Sequence, residues 1–391
     1  MSKVPAVTTS SPVPALTISA ASRARLQTAL DDVLAPSTRR AYERHWRTFE
    51  SYCAAAGYTA LPAEVEVVGE FLHLLETSAV PQRHPDRVGW SVSSISQALA
   101  AIRFTHQRAL AIPAPTPEVP QPIPLWDHPQ LDDLMRSIRH RAARQGRAAP
   151  ARKRPILLEE LTTVLTEMYA GADTWRRRLY ARRDAAILLV GWAGAMRRSE
   201  IVALHAGDIT RRYGHWTATV GRSKTDQAGT GMLKALPVGE KVLTCPPCAL
   251  VRWMDCVTTS DTAGRTGLIR LLTGEDTPTR HVCDRQPACP DPGSAVFRRI
   301  LRSAVIGNGT VSDATVAHVV HRRVAASSID IDVADLGAHS LRAGFVTQAV
   351  LNGTNHRAIQ RQTGHRSVET LMTYAREHDI FDNNAAINIG L

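Results

Sequence analysis

The sequence lacks the features that are typical of membrane proteins, disulfide-rich proteins and secreted proteins. Its 391 residues contain no apolar run of about 18 residues, so no membrane-spanning helix is predicted. Six cysteines are too few for a disulfide scaffold in a chain of this length, which favours a reducing compartment. Residues 1–22 are rich in Ser, Thr and Pro without the apolar core of a signal peptide, so they predict a disordered tail. A cytoplasmic protein without a membrane segment is therefore expected.

Acidic residues are also under-represented relative to basic ones. The chain has 47 Lys and Arg against 36 Asp and Glu, which gives a formal net charge of +11 and a pI near 9.8. A charge of this sign and size favours a polyanionic partner, of which nucleic acid is the usual one. The alternative is a basic surface that is merely solvated.

Most segments of the sequence that predict regular structure have apolar residues at helical spacing. Four segments with apolar residues at helical spacing predict a small all-helical domain within residues 23–145. A basic stretch over 146–155 predicts an interdomain linker, either a solvated hinge or a strap along a phosphate backbone. Residues 156–391 predict a larger domain with further helices, one of them over 294–305, and two paired strands over 215–220 and 233–238. The expected fold class is mainly α with a small β-sheet.

Most of the chemistry-bearing residues lie between Gly337 and Tyr374. His339 and Arg342 stand three apart in a predicted helix, so their side chains share one face. The dipeptide Gly364-His365 follows, and Tyr374 lies at the end of the next short amphipathic segment. Arginine binds phosphate oxygens with two donors, histidine can relay a proton, and a tyrosine hydroxyl can act as a nucleophile. These residue types together suggest phosphate chemistry.

A second constellation, GAMRRSEI, lies at a predicted junction between two helices. An arginine at such a junction, with Glu200 close behind to orient it, suits a fixed anion ligand. Arg197 is the preferred candidate and Arg198 its competitor. The alternative is a surface arginine that simply pairs with Glu200.

A third motif, GRSKT, follows the first predicted strand and contains Lys224. A lysine in a turn is commonly no more than a solvent-facing charge. Placed beside phosphate and base edges, its pKa can be tuned so that it donates a proton.

The order of these motifs resembles that of the tyrosine recombinases, or phage-type integrases, and the hairpin motif is similar to the Cre-like version. Six residues match the family's catalytic positions: Arg197, Lys224, His339, Arg342, His365 and Tyr374. The resemblance covers most of the chain, although the N-terminal helices match only in size and pattern. It implies an N-terminal helical core-binding (SAM-like) domain over 23–145 and an α+β catalytic domain over 156–391 that includes a C-terminal tail.

The resemblance also implies a mechanism. Tyr374 would attack the scissile phosphate and form a 3′-phosphotyrosyl link. Arg197 and Arg342 would hold the non-bridging oxygens in the transition state. His339 would serve as base or proton relay, and His365 would hydrogen-bond a phosphate oxygen. Strand exchange would then proceed through a Holliday junction.

The remaining implications concern Lys224, the partners and the cofactors. Lys224 would protonate the leaving 5′-oxygen. The expected partners are double-stranded DNA at a specific site, other copies of the chain in a homo-tetramer on two DNA sites, and a directionality factor. The tail after Tyr374 would dock into a neighbouring subunit. No cofactor, catalytic metal or membrane is expected, and the location is cytoplasmic and nucleoid-associated.

Three competing interpretations stay open at this point. A type IB topoisomerase-like nicking–closing enzyme shares this chemistry. A catalytically silent accessory or architectural DNA-binding protein would share the fold and the charge. A metal-dependent transposase would need a triad of carboxylates, and no such triad stands out in the sequence.

The stretch from 244 to 292 is longer than the resemblance leads us to expect. It contains Cys245, Cys248, Cys283 and Cys289, arranged as a C-x2-C pair and a looser C-x5-C pair. Tetrahedral zinc favours Cys and His ligands, so structural zinc on these four cysteines is one interpretation. Simple reduced cysteines in an insertion are the other. Neither places the stretch in the catalytic centre.

Overall fold

The computed structural model describes residues 34–78, 89–109, 123–147, 153–221, 231–274, 277–286, 291–365 and 367–369. The chain divides into two compact units, Met1–Pro150 and Ala151–Leu391. Their boundary falls within the 146–155 stretch that the sequence identifies as a linker. Every helix in the described ranges is too short or too polar to cross a bilayer.

The first unit is all-helical in its described part. Its helices are α1 (Pro36–Ala56), α2 (Val65–Thr77), α3 (Val92–Ala109) and α4 (Pro129–Arg144). The apolar stripe of each helix faces one core, formed by residues such as Phe49, Phe71, Leu72, Ile102 and Ile138.

The second unit is built around a helix that is buried on most of its surface. It begins with α5 (Leu158–Ala170) and α6 (Trp175–Ala193), and most of α6 from Leu179 onwards is buried. The elements that follow are α7 (Arg198–Val202), β1 (Ile209–Arg212), β2 (His215–Val220), β3 (Met232–Leu236), α8 (Pro246–Leu272), β4 (Arg298–Ile300), β5 (Ile306–Thr310), α9 (Asp313–Ala325), α10 (His339–Leu351) and α11 (His356–Thr363).

Two small sheets complete the second unit. Strands β1, β2 and β3 form an antiparallel sheet in sequence order, with Trp216 opposite Leu236 and Val220 opposite Met232. Strands β4 and β5 form a separate antiparallel pair. The expectation of a mainly helical fold with a small β component is therefore confirmed.

The helix predicted over 294–305 is wrong, because β4 and the turn to β5 occupy this stretch. Ala304 has a left-handed backbone conformation with a φ of 57° at that turn, which a helix cannot accommodate. The β4–β5 pairing and the packing of Val296 and Phe297 into the core override the helical spacing of the local apolar residues.

Candidate active site

One part of the candidate site lies at the sharp junction between α6 and α7. Ala195 adopts a left-handed conformation with a φ of 46°, and the amide of Met196 donates to the carbonyl of Gly191 at 2.9 Å. The chain therefore reverses abruptly after α6 and starts α7 directly behind Arg197. This geometry fixes the backbone from which the Arg197 side chain departs.

Glu200 fixes the Arg197 side chain in turn. One carboxylate oxygen of Glu200 accepts the main-chain N–H of Arg197 at 2.9 Å, and the other accepts Nη1 at 2.5 Å. The Glu200 side chain is only 4% exposed, so this pair is shielded from the screening that weakens surface ion pairs. Arg198, the competitor, pairs with Asp313 and is 58% exposed. The half-buried, oriented guanidinium is therefore that of Arg197, as an anion ligand requires.

Arg342, in the first turn of α10, connects this junction to the end of α11. It is among the largest fully buried side chains, with 1% of its surface exposed. Its Nη1 donates to the carbonyl of Ala195 at 2.6 Å, and its Nη2 lies 3.0 Å from Nε2 of His365. The left-handed turn at Ala195 and the buried arginine therefore determine each other's positions.

His365 accepts this contact as a neutral imidazole. A guanidinium has only donors, so Nε2 of His365 must be the acceptor and its ring proton lies on Nδ1. Burial lowers the pKa of His365 to about 3, with further lowering by Arg342, Arg197, His339 and Lys234. The ring is therefore uncharged throughout the neutral range.

His339 lies at the start of α10 on the same side of the helix as Arg342. Burial of the ring among protein atoms lowers its pKa, and the charges of Arg342 and Arg197 lower it further, although part of the residue surface still reaches solvent. A neutral imidazole can accept a proton. His339 therefore has the protonation state that a base or proton relay needs at neutral pH.

Lys234, which the sequence analysis did not select, is the unexpected member of the site. It is completely buried on β3, and its Nζ donates to the carbonyls of Gln362 at 2.6 Å and Thr363 at 3.2 Å. Burial lowers its pKa to about 8 against the opposing effect of Glu200, and Arg342 and Arg197 lower it further. Lys234 thus joins the three-stranded sheet to the turn that carries His365.

The alternation of residues along β3 could have identified Lys234 from the sequence. Residues 232, 234 and 236 share one face of β3, and Leu236 on that face is buried. A lysine on an inward-facing strand position needs polar partners, so such a lysine marks a polar site.

Two of the six predicted catalytic residues, Lys224 and Tyr374, lie outside the described residues. Lys224 belongs to the connection between β2 and β3, and Tyr374 follows the last described residues, 367–369. The structure therefore brings together Arg197, Arg342, His339 and His365, and the catalytic role of all six residues stays a prediction.

The cysteine-rich stretch forms a separate cluster. Cys245, Cys248 and Cys283 converge with His281, which the sequence analysis did not include. Cys289, the fourth cysteine of the zinc interpretation, lies outside the described residues.

Comparisons with known proteins agree with this arrangement. The model of the Phage integrase family matches residues 291–379, which include α10 and α11. An integrase/recombinase xerD homolog from Selenomonas ruminantium is 28% identical over 357 residues, which cover 91% of this chain and 86% of the relative.

Two solved structures are similar over most of the chain. XerH site-specific recombinase bound to a palindromic difH substrate has 14% identity over 81% of this chain and 72% of its own, with a TM-score of 0.49. The Tn1549 transposon integrase in complex with transposon right end DNA has 14% identity over 90% and 92%, also with a TM-score of 0.49.

The sequence relative and the family match, together with the clustered arginines and histidines, point to the tyrosine recombinase class. Residues 291–379, which contain His339, Arg342 and His365, match the phage integrase family.

Proposed function

We propose that the protein is a site-specific DNA recombinase, which cleaves a DNA strand through a covalent tyrosine link and rejoins it to a partner strand. The convergence of Arg197, Arg342, His339 and His365 from three separate segments of the chain carries this proposal. Burial lowers the pKa values of both histidines, and the positive charges of Arg342 and Arg197 lower them further, so the site carries positive charge before any ligand arrives. A phosphodiester is the anion that such a site accommodates.

In the cleavage step, the hydroxyl oxygen of Tyr374 forms a bond to phosphorus while the bond from phosphorus to the 5′-oxygen breaks. His339 takes the proton from the tyrosine hydroxyl, since its lowered pKa keeps it neutral. Lys224 delivers a proton to the leaving 5′-oxygen. The positive charges of Arg197 and Arg342 stabilise the charge that builds on the non-bridging oxygens.

The link between Tyr374 and the 3′-phosphate conserves the energy of the broken bond. A 5′-hydroxyl from a second DNA strand can therefore reverse the step without ATP. Two rounds of this exchange pass through a Holliday junction. This requires four tyrosines, so a homo-tetramer on two DNA sites is part of the proposal, with a directionality factor as a further proposed partner.

Double-stranded DNA is the proposed substrate and partner, and both units contribute surfaces for it. Arg40, Arg44 and Arg47 are exposed on α1 of the first unit. Exposed arginines along a helix suit contacts with successive phosphates, which supply affinity without reading sequence. The specific site would be read by other contacts that the unbound chain does not display.

The test is covalent capture. Purified protein is incubated, in EDTA, with supercoiled plasmids that carry DNA flanking its own gene. The expected product is an SDS-stable, protease-sensitive protein–DNA adduct with wild type and none with Tyr374→Phe. Tyr213→Phe is the matched control, because Tyr213 is fully exposed at the β1–β2 turn and should leave the adduct unchanged.

Each other outcome has a distinct meaning. An adduct that persists in Tyr374→Phe would show that another residue is the nucleophile. DNA binding without an adduct on any plasmid would contradict the enzymatic proposal and favour an accessory DNA-binding role.

A further inference from the structure

A compact group of metal-ligating side chains lies at the beginning of α8, apart from the residues used in catalysis. Cys245 immediately precedes the helix, and Cys248 lies in its first turn. His281 and Cys283 come from the segment over 277–286. The ligand atoms of all four residues lie within 4.8 Å of one another.

The separations suit a tetrahedral ion. Nδ1 of His281 lies 3.3 Å from Sγ of Cys248 and 3.7 Å from Sγ of Cys283. Zinc binds sulfur at about 2.3 Å and imidazole nitrogen at about 2.0–2.1 Å, so neighbouring ligand atoms of a tetrahedral site lie roughly 3.5–3.8 Å apart. Only small side-chain adjustments are needed to reach that geometry.

The surroundings also resemble the outer shell of a metal site. Nε2 of His281 lies 3.3 Å from the carbonyl of Glu240. When Nδ1 binds a metal, Nε2 carries the proton and donates it to that carbonyl, which is the usual arrangement for a ligating histidine. The main-chain N–H of Val282 donates to Sγ of Cys248 at 3.3 Å, a contact that stabilises a thiolate.

Packing alone does not account for the group. Buried thiols can behave as small apolar side chains, and the three cysteines are indeed 0%, 1% and 5% exposed. An exposed histidine that directs the same ring nitrogen at two of those sulfurs adds nothing to an apolar cluster. Such convergence is what a shared ligand requires.

We propose that Cys245, Cys248, His281 and Cys283 bind one zinc ion. Four protein ligands fill a tetrahedral shell, so the site is structural rather than catalytic. The ion fastens the segment over 277–286 to the start of α8.

The fastened segment supports the sheet next to the active site. Nε1 of Trp216, on β2, donates to the carbonyl of Cys283 at 3.0 Å, and Nη1 of Arg211, on β1, donates to the carbonyl of Asp284 at 2.6 Å. Zinc would therefore hold β1 and β2 in place through two main-chain carbonyls, and its loss would loosen the sheet that carries Lys234.

Metal analysis of the full-length protein provides the first test. Purified wild type is expected to contain about one zinc per chain by mass spectrometry of the elements. Cys248→Ser should lose it, whereas Cys256→Ser should retain it, because Cys256 is buried in the same helix but outside the cluster. Zinc at the same level in wild type and Cys248→Ser, or stoichiometric iron in place of zinc, would overturn the proposal.

A second measurement begins with a thiol titration of wild type, whose result cannot be obscured by the folding failure of a variant. Thiols are titrated with a mercurial reagent in the presence of a colorimetric zinc indicator. Zinc should appear in step with modification of the cluster thiols. His281→Ala, at an exposed position, should release zinc faster than wild type on addition of the indicator alone. Thiol modification without zinc release would refute the site.

Discussion

Two clusters of buried arginines in the second unit differ in what balances their charge. Around Asp184, a carboxylate with no exposed surface, Arg183 donates to Oδ1 at 3.0 and 3.1 Å, and Arg323 donates to Oδ2 at 2.8 Å. Arg322 donates to the same Oδ2. Three guanidiniums therefore share one buried negative charge, and their geometry is complete without a ligand.

The cluster around Arg342 is arranged differently. Arg342 donates to a main-chain carbonyl and an imidazole, and Lys234 donates to two main-chain carbonyls. These acceptors orient Arg342 and Lys234 without cancelling their charge, whereas the neighbouring Arg197 pairs with Glu200. Burial lowers the pKa values of His339, His365 and Lys234, and the charges of Arg342 and Arg197 lower them further.

The two clusters differ in the role that we expect for their charges: a structural role around Asp184 and a functional role around Arg342. The Asp184 carboxylate and the guanidiniums around it serve the fold, so loss of that carboxylate should reduce stability. A buried cation held by neutral groups retains a field that an incoming phosphate can use, and its loss should be felt in the reaction.

The largest expected effect is on stability, from Asp184→Asn. This change leaves three buried or half-buried guanidiniums around a neutral amide, so the free energy of unfolding should fall by about 3–5 kcal/mol. Urea unfolding monitored by circular dichroism measures it. At a temperature where the variant is still folded, its rate of adduct formation should stay near that of wild type. A strongly reduced rate in the folded variant would contradict the structural role.

Arg342→Lys should have the converse effect. Lysine keeps the charge but loses the planar pair of donors that reaches both Ala195 and His365, so adduct formation should slow by about 100–1,000-fold. DNA affinity, measured by gel shift, should change little.

Arg323→Lys is the matched control for that substitution, since it changes an arginine of the Asp184 cluster in the same way. Its adduct formation should remain close to wild type. If adduct formation slowed equally in the two variants, the proposed difference between the two arginine clusters would be wrong.

Gly364→Ala should have a smaller effect that links the sheet to the site. Gly364 has a φ of 75°, and an added Cβ would lie 2.7 Å from Sδ of Met232 on β3. Alanine in the left-handed region costs about 1 kcal/mol, and the contact should add roughly another. Because His365 is the next residue, adduct formation should also decrease.

Gly353→Ala isolates the backbone contribution, because Gly353 has a φ of 68° but no atom within 4 Å of the added Cβ. Urea unfolding gives the loss of unfolding free energy in each variant, and the difference between the two losses is the contribution of the contact with β3. Similar unfolding free energies, with unchanged adduct formation in Gly364→Ala, would show that the His365 turn does not depend on its fit against the sheet.

Much of the fold could be predicted because local pattern and tertiary structure agree. The helices α1 to α4 follow clear apolar stripes, and β2 follows simple alternation. Residues 294–305 could not be predicted correctly, because the β4–β5 pairing depends on partners brought in by the fold.

Site residues could be predicted from the sequence where they belong to short motifs. Arg197, His339, Arg342 and His365 were selected from motifs, and the structure brings them together. Lys234 and His281 were missed because their significance depends on distant partners: Lys234 donates to Gln362, and His281 meets a cysteine 33 residues away. The catalytic roles of all six predicted residues, Lys224 and Tyr374 included, remain predictions.

The effect that is smallest per pH unit is the change of stability with pH. The pKa of His365 is about 3 in the folded chain against an ordinary value of 6.5. Between these values the unfolded chain binds a proton that the folded chain does not, so stability is lost as the pH falls from 6.5 towards 3. The loss should reach up to about 1.4 kcal/mol per pH unit for this one proton. His339, whose pKa is also lowered, adds to it in the same direction.

His365→Gln removes the titrating ring and retains a polar side chain near Arg342. Urea unfolding at several pH values within this window should therefore give a flatter dependence for His365→Gln than for wild type, with the curves converging towards acid. The contributions of other buried histidines, such as His45 and His106, are common to both proteins and cancel in the difference. Parallel curves would mean that burial and the charges of Arg342 and Arg197 do not hold His365 neutral. The positive field that distinguishes this cluster from the one around Asp184 would then have to be weaker than the geometry implies.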